Sequence, residues 1–312
     1  MALKKAKGFR LFDPMRDGPG VEKGEDTTPN LKYFFKLWGR KFWKLITLNL
    51  IMLLQIIPLL ICLYMYLAGP KTATAYFPLS LPLLGAQTVQ PTSLGSTLQT
   101  LFAGLYHIPT YNTYAWWVIG ILAAFHVITY GWQKVGSIYI LRNLVRGDGV
   151  FILSDFFYAI KKNLKQGFVM GLIDCAVIFA LVFDFLYFLS APATGLNNFM
   201  YVMIIALFII WMFMRFYIYL MLVTFDMKTF KILKNALIFT ALGIKRNLMA
   251  ALGILLLTAL SAAVIILCAQ IGVYAVIILP FIYYLAFVGF MYTYAAWPVV
   301  QKYMIDPVQN KK

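Results

Sequence analysis

The chain has 312 residues, of which 62% are hydrophobic and 12% are charged, and its mean hydropathy is +0.80. Soluble domains carry about 25% charged residues, so this composition excludes an ordinary soluble domain and predicts an integral membrane protein. The 27 basic and 11 acidic residues give a formal net charge of +16. We expect no nucleic-acid partner, because basic residues commonly flank membrane spans on the cytoplasmic side.

Six apolar segments are long enough to cross the hydrocarbon core, which takes about 20 helical residues. The sequence therefore predicts an all-α membrane protein with six spans, a flexible tail at 1–30 and a single transmembrane domain at 31–312. The last two spans are nearly continuous, and a tight hairpin is expected at Gln270 and Gly272. The predicted spans are 43–67, 115–141, 168–190, 198–224, 248–270 and 273–297.

Basic residues alternate between the connections in a way that orients the chain. The N-terminal tail and the second and fourth connections are rich in Lys and Arg, whereas the first connection holds only Lys71 and the third and fifth hold none. Cytoplasmic loops carry the excess of Lys and Arg. Both termini are therefore predicted to be cytoplasmic.

The first span is preceded by a run of cations and aromatics, "YFFKLWGRKFWK", at 33–44. Anionic headgroups of the inner leaflet attract each such cation by about 1 kcal/mol, and Trp is typical of the membrane interface. We predict that these residues and similar ones before later spans anchor the protein at the inner face. The predicted anchors are Trp38, Arg40, Lys41, Trp43, Lys161, Lys162, Lys245 and Arg246.

The external connection at 68–113 is rich in Pro, Thr, Ser and Gly and lacks acidic residues. It is longer than a simple turn requires. One interpretation is a lid or a docking surface for an external partner. The other is a loop that packs over the external ends of the helices.

Amphipathic basic segments precede three of the spans. The first contains Phe34 and Trp38, the second is "SDFFYAIKKNLKQG" with Ser154 as its expected N-cap, and the third surrounds Phe230 and Leu233. This layout predicts interfacial helices on the cytoplasmic side. It indicates either a threefold internal repeat of helix plus hairpin or the ordinary pattern of any helix that enters a membrane.

Ionisable residues within the spans are costly and are candidates for function. Asp174 in the third span and Arg215 in the fourth lie at similar depth, and these two spans form an antiparallel hairpin. We therefore predict an intramembrane ion pair, either a structural latch or a functional site. A candidate polar pathway would add His126, Lys134 and Asp184.

Signatures of catalysis and of metal binding are missing from the sequence. It has no Walker A, H-E-x-x-H or G-x-S-x-G motif, and its two His and three intramembrane Cys do not make a zinc-binding pattern. We expect no enzyme activity, no cofactor and no metal.

The segments "FFKLWGRKFWKLITLNL" and "VRGDGVFILSDFFYAIKKNLKQG", with "DGPGVEKGED" near the N-terminus, resemble the YesL-like family of bacterial integral membrane proteins. The resemblance implies a bacterial cytoplasmic membrane and a role near carbohydrate uptake, since genes of this family commonly lie beside carbohydrate ABC importers. It supplies no catalytic residue.

These observations favour a non-enzymatic accessory or partner subunit of a carbohydrate ABC-type importer, bound to anionic lipid and to other membrane-protein subunits. A stand-alone secondary transporter with a polar site at mid-membrane is one alternative. A permease-like subunit of an ATP-driven importer is another, although the Glu-Ala-Ala and Gly coupling pattern is missing.

Overall fold

The computed structural model of the protein describes residues 27–68, 113–190 and 194–309. Most of the predicted tail and of the predicted external loop lie outside these residues. The described residues are helical, without β-strands. Six of their helices are long and apolar enough to cross a membrane, which confirms the predicted number of spans.

The helices are numbered here in chain order. A 3₁₀ helix at Tyr274–Ile278 leads into the last long helix, and a π-helical turn at Gln301–Ile305 follows it. The helices are α1 (Leu31–Ala68), α2 (Thr113–Arg146), α3 (Ile152–Lys162), α4 (Leu164–Ser190), α5 (Gly195–Thr224), α6 (Thr229–Leu242), α7 (Ile244–Gln270), α8 (Leu279–Val300) and α9 (Asp306–Gln309).

The turn after α7 lies where the sequence predicted a hairpin. Gly272 has a φ of +81°, a backbone conformation that glycine adopts at no steric cost. The backbone N–H of Val273 donates to the carbonyl oxygen of Cys268 at 2.8 Å. This bond satisfies one of the last carbonyl groups of α7, which would otherwise lack a helical partner.

Two joints between a short helix and a long helix have the same construction. One non-helical residue separates α3 from α4 and another separates α6 from α7, namely Asn163 and Gly243. The carbonyl oxygen of Asn163 accepts a hydrogen bond from the backbone N–H of Gly167 at 2.7 Å. In the same way, the carbonyl oxygen of Gly243 accepts one from the backbone N–H of Asn247 at 2.9 Å. The first amphipathic segment differs, because it continues into its span within α1 without a break.

The N-terminus of α3 differs from the sequence prediction. The helix begins at Ile152, so the prediction that Ser154 is its N-cap is wrong. Instead, the carboxylate of Asp155 accepts a hydrogen bond from the backbone N–H of Phe151 at 2.8 Å. A carboxylate in the first helical turn also interacts favourably with the helix dipole, which explains why the helix can begin earlier than the serine.

The chain divides into two compact units. The first contains the described residues of Met1–Leu53, Val135–Lys162 and Leu242–Lys312, and the second those of Leu54–Lys134 and Asn163–Ala241. Helices α1 and α2 contribute residues to both units.

In the first unit, aromatic side chains join the beginning of α1 to α8. The rings of Phe34 and Phe290 lie 5.5 Å apart between centroids, and those of Trp38 and Phe287 lie 5.2 Å apart. Further along α1, the buried amide of Asn49 donates to the carbonyl oxygen of Phe281 at 2.6 Å and accepts from the backbone N–H of Ala286 at 3.0 Å. Aromatic packing and one satisfied buried amide thus fix the pairing of these two helices.

In the second unit, α2 and α4 approach closely at three glycines. A Cβ atom added at Gly131 would lie against the carbonyl oxygen of Gly167 and 2.8 Å from the Cα atom of Gly171. Small residues allow this close packing of helix backbones, which is typical of membrane proteins. The contact brings the polar side chains on the neighbouring turns of α2 and α4 together.

We predict that Gly131→Ala lowers the free energy of unfolding by about 1–3 kcal/mol, because the added methyl group forces the two helix backbones apart. The measurement is thermal unfolding of the purified protein in detergent, followed by circular dichroism. Gly120→Ala in the same helix is the matched control, since a Cβ atom there has nothing within 4 Å. Equal stability of the two variants would contradict the close contact.

Candidate functional site

Among the described acidic and basic residues of the second unit, the most deeply buried is Asp174 in α4, which is 1% exposed. An isolated carboxylate in an apolar interior costs several kcal/mol of solvation free energy. Its oxygens can accept about four hydrogen bonds in total. The groups that supply these bonds therefore decide whether the residue can be charged.

Arg215 in α5 supplies the compensating charge. Its Nε atom lies 3.0 Å from Oδ1 and 3.1 Å from Oδ2 of Asp174. The Arg215 side chain is 19% exposed, so both partners of the ion pair are largely removed from solvent. The structure thus brings together the two residues that the antiparallel hairpin of α4 and α5 predicted to be close.

Three neutral donors complete the surroundings of the carboxylate. Trp211 Nε1 donates to Oδ1 at 3.0 Å, and the hydroxyls of Tyr219 and Tyr130 donate to Oδ2 at 3.1 and 3.2 Å. Arg215 also donates from Nη2 to the hydroxyl oxygen of Tyr130. With Arg215 Nε, four donors contact the carboxylate, which equals its capacity of about four hydrogen bonds. We call this set of five residues the Asp174 cluster.

The donors from α5 follow a simple spacing. Trp211, Arg215 and Tyr219 are four residues apart and therefore lie on one face of the helix. Of these three residues, only Arg215 was predicted from the sequence, because that prediction rested on ionisable residues and not on neutral donors. The four-residue spacing of Trp, Arg and Tyr was the available signal.

A similar row of polar side chains lies on α2, where His126, Tyr130 and Lys134 are also four residues apart. We call this row the stripe on α2. Lys134 Nζ lies 5.5 Å from the centroid of the Tyr130 ring, within the range of a cation–π contact. The ring of His126 lies 5.9 Å from that of Tyr130. Two of the predicted pathway residues thus flank Tyr130, which the sequence analysis did not name.

The hydrogen bonds of the His126 ring connect α2 to α1. Its Nδ1 atom lies 3.0 Å from Nε2 and 3.2 Å from the carbonyl oxygen of Gln55. The same amide of Gln55 donates to the backbone carbonyl oxygen of His126 at 3.1 Å. Gln55 is therefore the polar partner that holds His126 in place.

Asp184, the third predicted pathway residue, does not belong to the Asp174 cluster. Its side chain is half-buried nearer the C-terminus of α4. Within the described residues, no hydrogen bond or ion pair of Asp184 is formed. Of the three predicted pathway residues, His126 and Lys134 thus lie on the stripe on α2 and Asp184 does not.

The predicted anchors lie near the basic ends of the helices. Trp43 is 42% exposed, whereas Trp38 packs edge-on against Phe42 and Phe287. Half-buried anchors are Arg40, Lys41 and Arg246, and exposed ones are Lys161, Lys162 and Lys245.

Metal coordination has no support in the part of the chain that the structure describes. No group of three or more His, Cys, Asp or Glu side chains there could hold a metal ion.

These features are those of a multi-pass helical membrane protein. Residues 112–185 match a family model described as "Protein of unknown function, DUF624", the family to which the YesL-like proteins belong. The matched segment contains the stripe on α2 and Asp174 but not Arg215. No curated protein and no solved structure gives a significant match to the chain.

We predict that Tyr219→Phe lowers the free energy of unfolding by about 1.5–3 kcal/mol, because it removes a buried hydrogen bond to a charged acceptor. Tyr219 is 2% exposed, so water cannot replace the lost hydroxyl. The measurement is unfolding in mixed micelles by titration with a denaturing detergent.

Tyr201→Phe in the same helix is the control for this prediction. Tyr201 is half-buried and packs on the ring of Phe185, and its hydroxyl makes no hydrogen bond with the described residues. If both variants unfold at the same detergent fraction, the Tyr219 hydroxyl does not stabilise the Asp174 cluster.

Proposed function

We propose that the protein is a non-enzymatic membrane subunit that acts by contact with other membrane proteins, in association with carbohydrate uptake by an ABC-type importer. The observation that carries this proposal is the saturation of the Asp174 carboxylate by Arg215 and three neutral donors. A carboxylate that binds a substrate or relays a proton must offer a free site to it. A saturated and buried carboxylate is better suited to hold helices together.

Contact with partners would use surfaces that the chain itself leaves exposed. Helix α3 is a suitable surface, since Leu153 is 62% exposed and Phe157 is 56% exposed, beside the exposed cations Lys161 and Lys162. A different face of α3 is buried, and it contains Ile152, Phe156 and Ala159. The ring of Phe156 lies so close to Gly136 that a Cβ atom added there would be 2.6 Å from it. One face thus anchors α3 within the first unit and the other is available to a partner or to the membrane surface.

The class of partner rests on the resemblance to the YesL-like family. That family is commonly encoded beside carbohydrate ABC importers, so the permease and ATPase subunits of such an importer are the first partners to test. In this proposal the basic ends of the helices and both termini lie on the cytoplasmic side, as the distribution of Lys and Arg predicts.

The test is affinity purification of the tagged chain from its native membranes in mild detergent, with mass spectrometry of the co-purified proteins. We expect permease and ATPase subunits in near-stoichiometric amounts. The double variant Leu153→Glu/Phe157→Glu should reduce their recovery at least about tenfold, because it places two charges in an apolar contact. Val308→Glu is the control, since Val308 is 61% exposed on α9.

Recovery of the folded chain alone, in full yield, would contradict the partner role. Equal loss of partners in the α3 variant and in the Val308 variant would show that α3 is not the contact surface. The two results are distinguishable, since the first concerns the wild-type chain and the second only the variants.

The stripe on α2 favours a second candidate function, a stand-alone secondary transporter. His126, Tyr130 and Lys134 place polar groups along one face of a membrane-spanning helix, an arrangement found in proton relays. This candidate predicts proton flux through liposomes that contain the purified chain, and loss of that flux in Asp174→Asn. Flux equal to that of protein-free liposomes would favour the partner role.

A further inference from the structure

A groove on the surface of the first unit differs in chemistry from the Asp174 cluster. One wall is formed by α1, with Phe35, Trp38 and Phe42, and the other by α7 and α8, with Leu257, Tyr283 and Met291. Its volume is 570 Å³, within the range of roughly 300–1,000 Å³ that is typical of small-molecule pockets. We call it the aromatic groove.

The lining of the aromatic groove is apolar even where it includes a hydroxyl. The hydroxyl of Tyr283 lies 2.7 Å from Ser261 Oγ, so it is satisfied outside the groove wall. Trp38 is held edge-on by Phe42 and Phe287 at centroid distances of 5.5 and 5.2 Å. The groove therefore offers a rigid apolar surface and no polar group to orient a polar ligand.

The length of the groove is close to the thickness of one leaflet's hydrocarbon. On α1 its lining extends from Phe34 to Ile46, a distance of about 18 Å at 1.5 Å per residue. The hydrocarbon of one leaflet is about 15 Å thick, half of the 30 Å core. The groove is therefore long enough to hold most of one acyl chain.

Cations lie on the first turns of α1, where one end of the groove begins, and on the first turn of α7. Those on α1 are Lys32 and Lys36, and those on α7 are Lys245 and Arg246. The two helix starts are adjacent, because Arg246 Nη2 lies 3.5 Å from the carbonyl oxygen of Pro29. No acidic residue occurs in α1, α7 or α8.

The groove is too small to enclose a whole helix. A helix about 10 Å in diameter and about 18 Å long fills about 1,400 Å³, more than twice the volume of the groove. A neighbouring subunit could therefore fill the groove only with side chains. A flexible hydrocarbon chain fits both the length and the volume.

We propose that the aromatic groove is a specific binding site for an anionic phospholipid. One acyl chain lies along Trp38 and Phe42, and the phosphate headgroup lies among the four cations at the start of α1 and α7. The protein thus binds a lipid of the leaflet that faces its basic residues. This site does not depend on the proposed contact with an importer.

The test uses the purified full-length chain in detergent with equal amounts of phosphatidylglycerol and phosphatidylcholine that carry identical acyl chains. Native mass spectrometry counts the lipids that each chain retains. We expect one retained lipid per chain, with phosphatidylglycerol preferred by at least about tenfold, since several cations act on its charge.

A matched pair of variants on adjacent residues locates the site. Leu257→Trp fills the groove and should lower lipid retention about tenfold, whereas Leu256→Trp should leave it unchanged, because Leu256 is 64% exposed and does not line the groove. If Leu257→Trp does not fold, Ile282→Trp replaces it, since Ile282 also lines the groove. Replacement of the four cations by Gln should remove the preference for the anionic lipid.

Three results would overturn the proposal. Equal retention in the Leu256 and Leu257 variants would place the lipid elsewhere. Equal retention of phosphatidylglycerol and phosphatidylcholine by the wild-type chain would exclude headgroup recognition. Lipid-free dimers as the main species would show that a second copy covers the groove.

Discussion

The second unit is arranged around one carboxylate from which water is almost completely excluded. Asp174 is 1% exposed, and a charge at such a position is tolerated only if other groups replace its hydration. Arg215 supplies the opposite charge, and Trp211, Tyr219 and Tyr130 supply neutral hydrogen bonds. Because these donors come from α2 and α5 while the acceptor comes from α4, one side chain joins three helices.

The close packing of α2 on α4 and the Asp174 cluster depend on each other. Gly131, Gly167 and Gly171 let the two backbones approach, and only a close approach brings the hydroxyl of Tyr130 within 3.2 Å of the carboxylate. Helix association in lipid gains little from the hydrophobic effect, since lipid tails are as apolar as the side chains. Close backbone packing and buried polar contacts therefore account for the specific arrangement of these helices.

Three features could be predicted from local signals in the sequence. The length of the apolar segments predicts six spans, and a glycine between two spans predicts the turn at Gly272. Equal depth in a hairpin predicts the proximity of Asp174 to Arg215. The sequence was insufficient for Tyr130 and Trp211, whose role depends on which helix faces which. The N-terminus of α3 was mispredicted because Asp155, not Ser154, provides the capping group. Such choices between nearby caps depend on backbone geometry that composition does not determine.

We predict that Asp174 and Arg215 act as one energetic unit that holds the helices of the second unit together. The most direct measurement is a double-mutant cycle with Asp174→Asn and Arg215→Gln, scored by the free energy of unfolding in mixed micelles. Each single variant should lose about 3–5 kcal/mol, because it leaves the other charge buried without its partner, and the double variant should lose little more than either one. Additive losses, with a coupling free energy below about 0.5 kcal/mol, would contradict the claim.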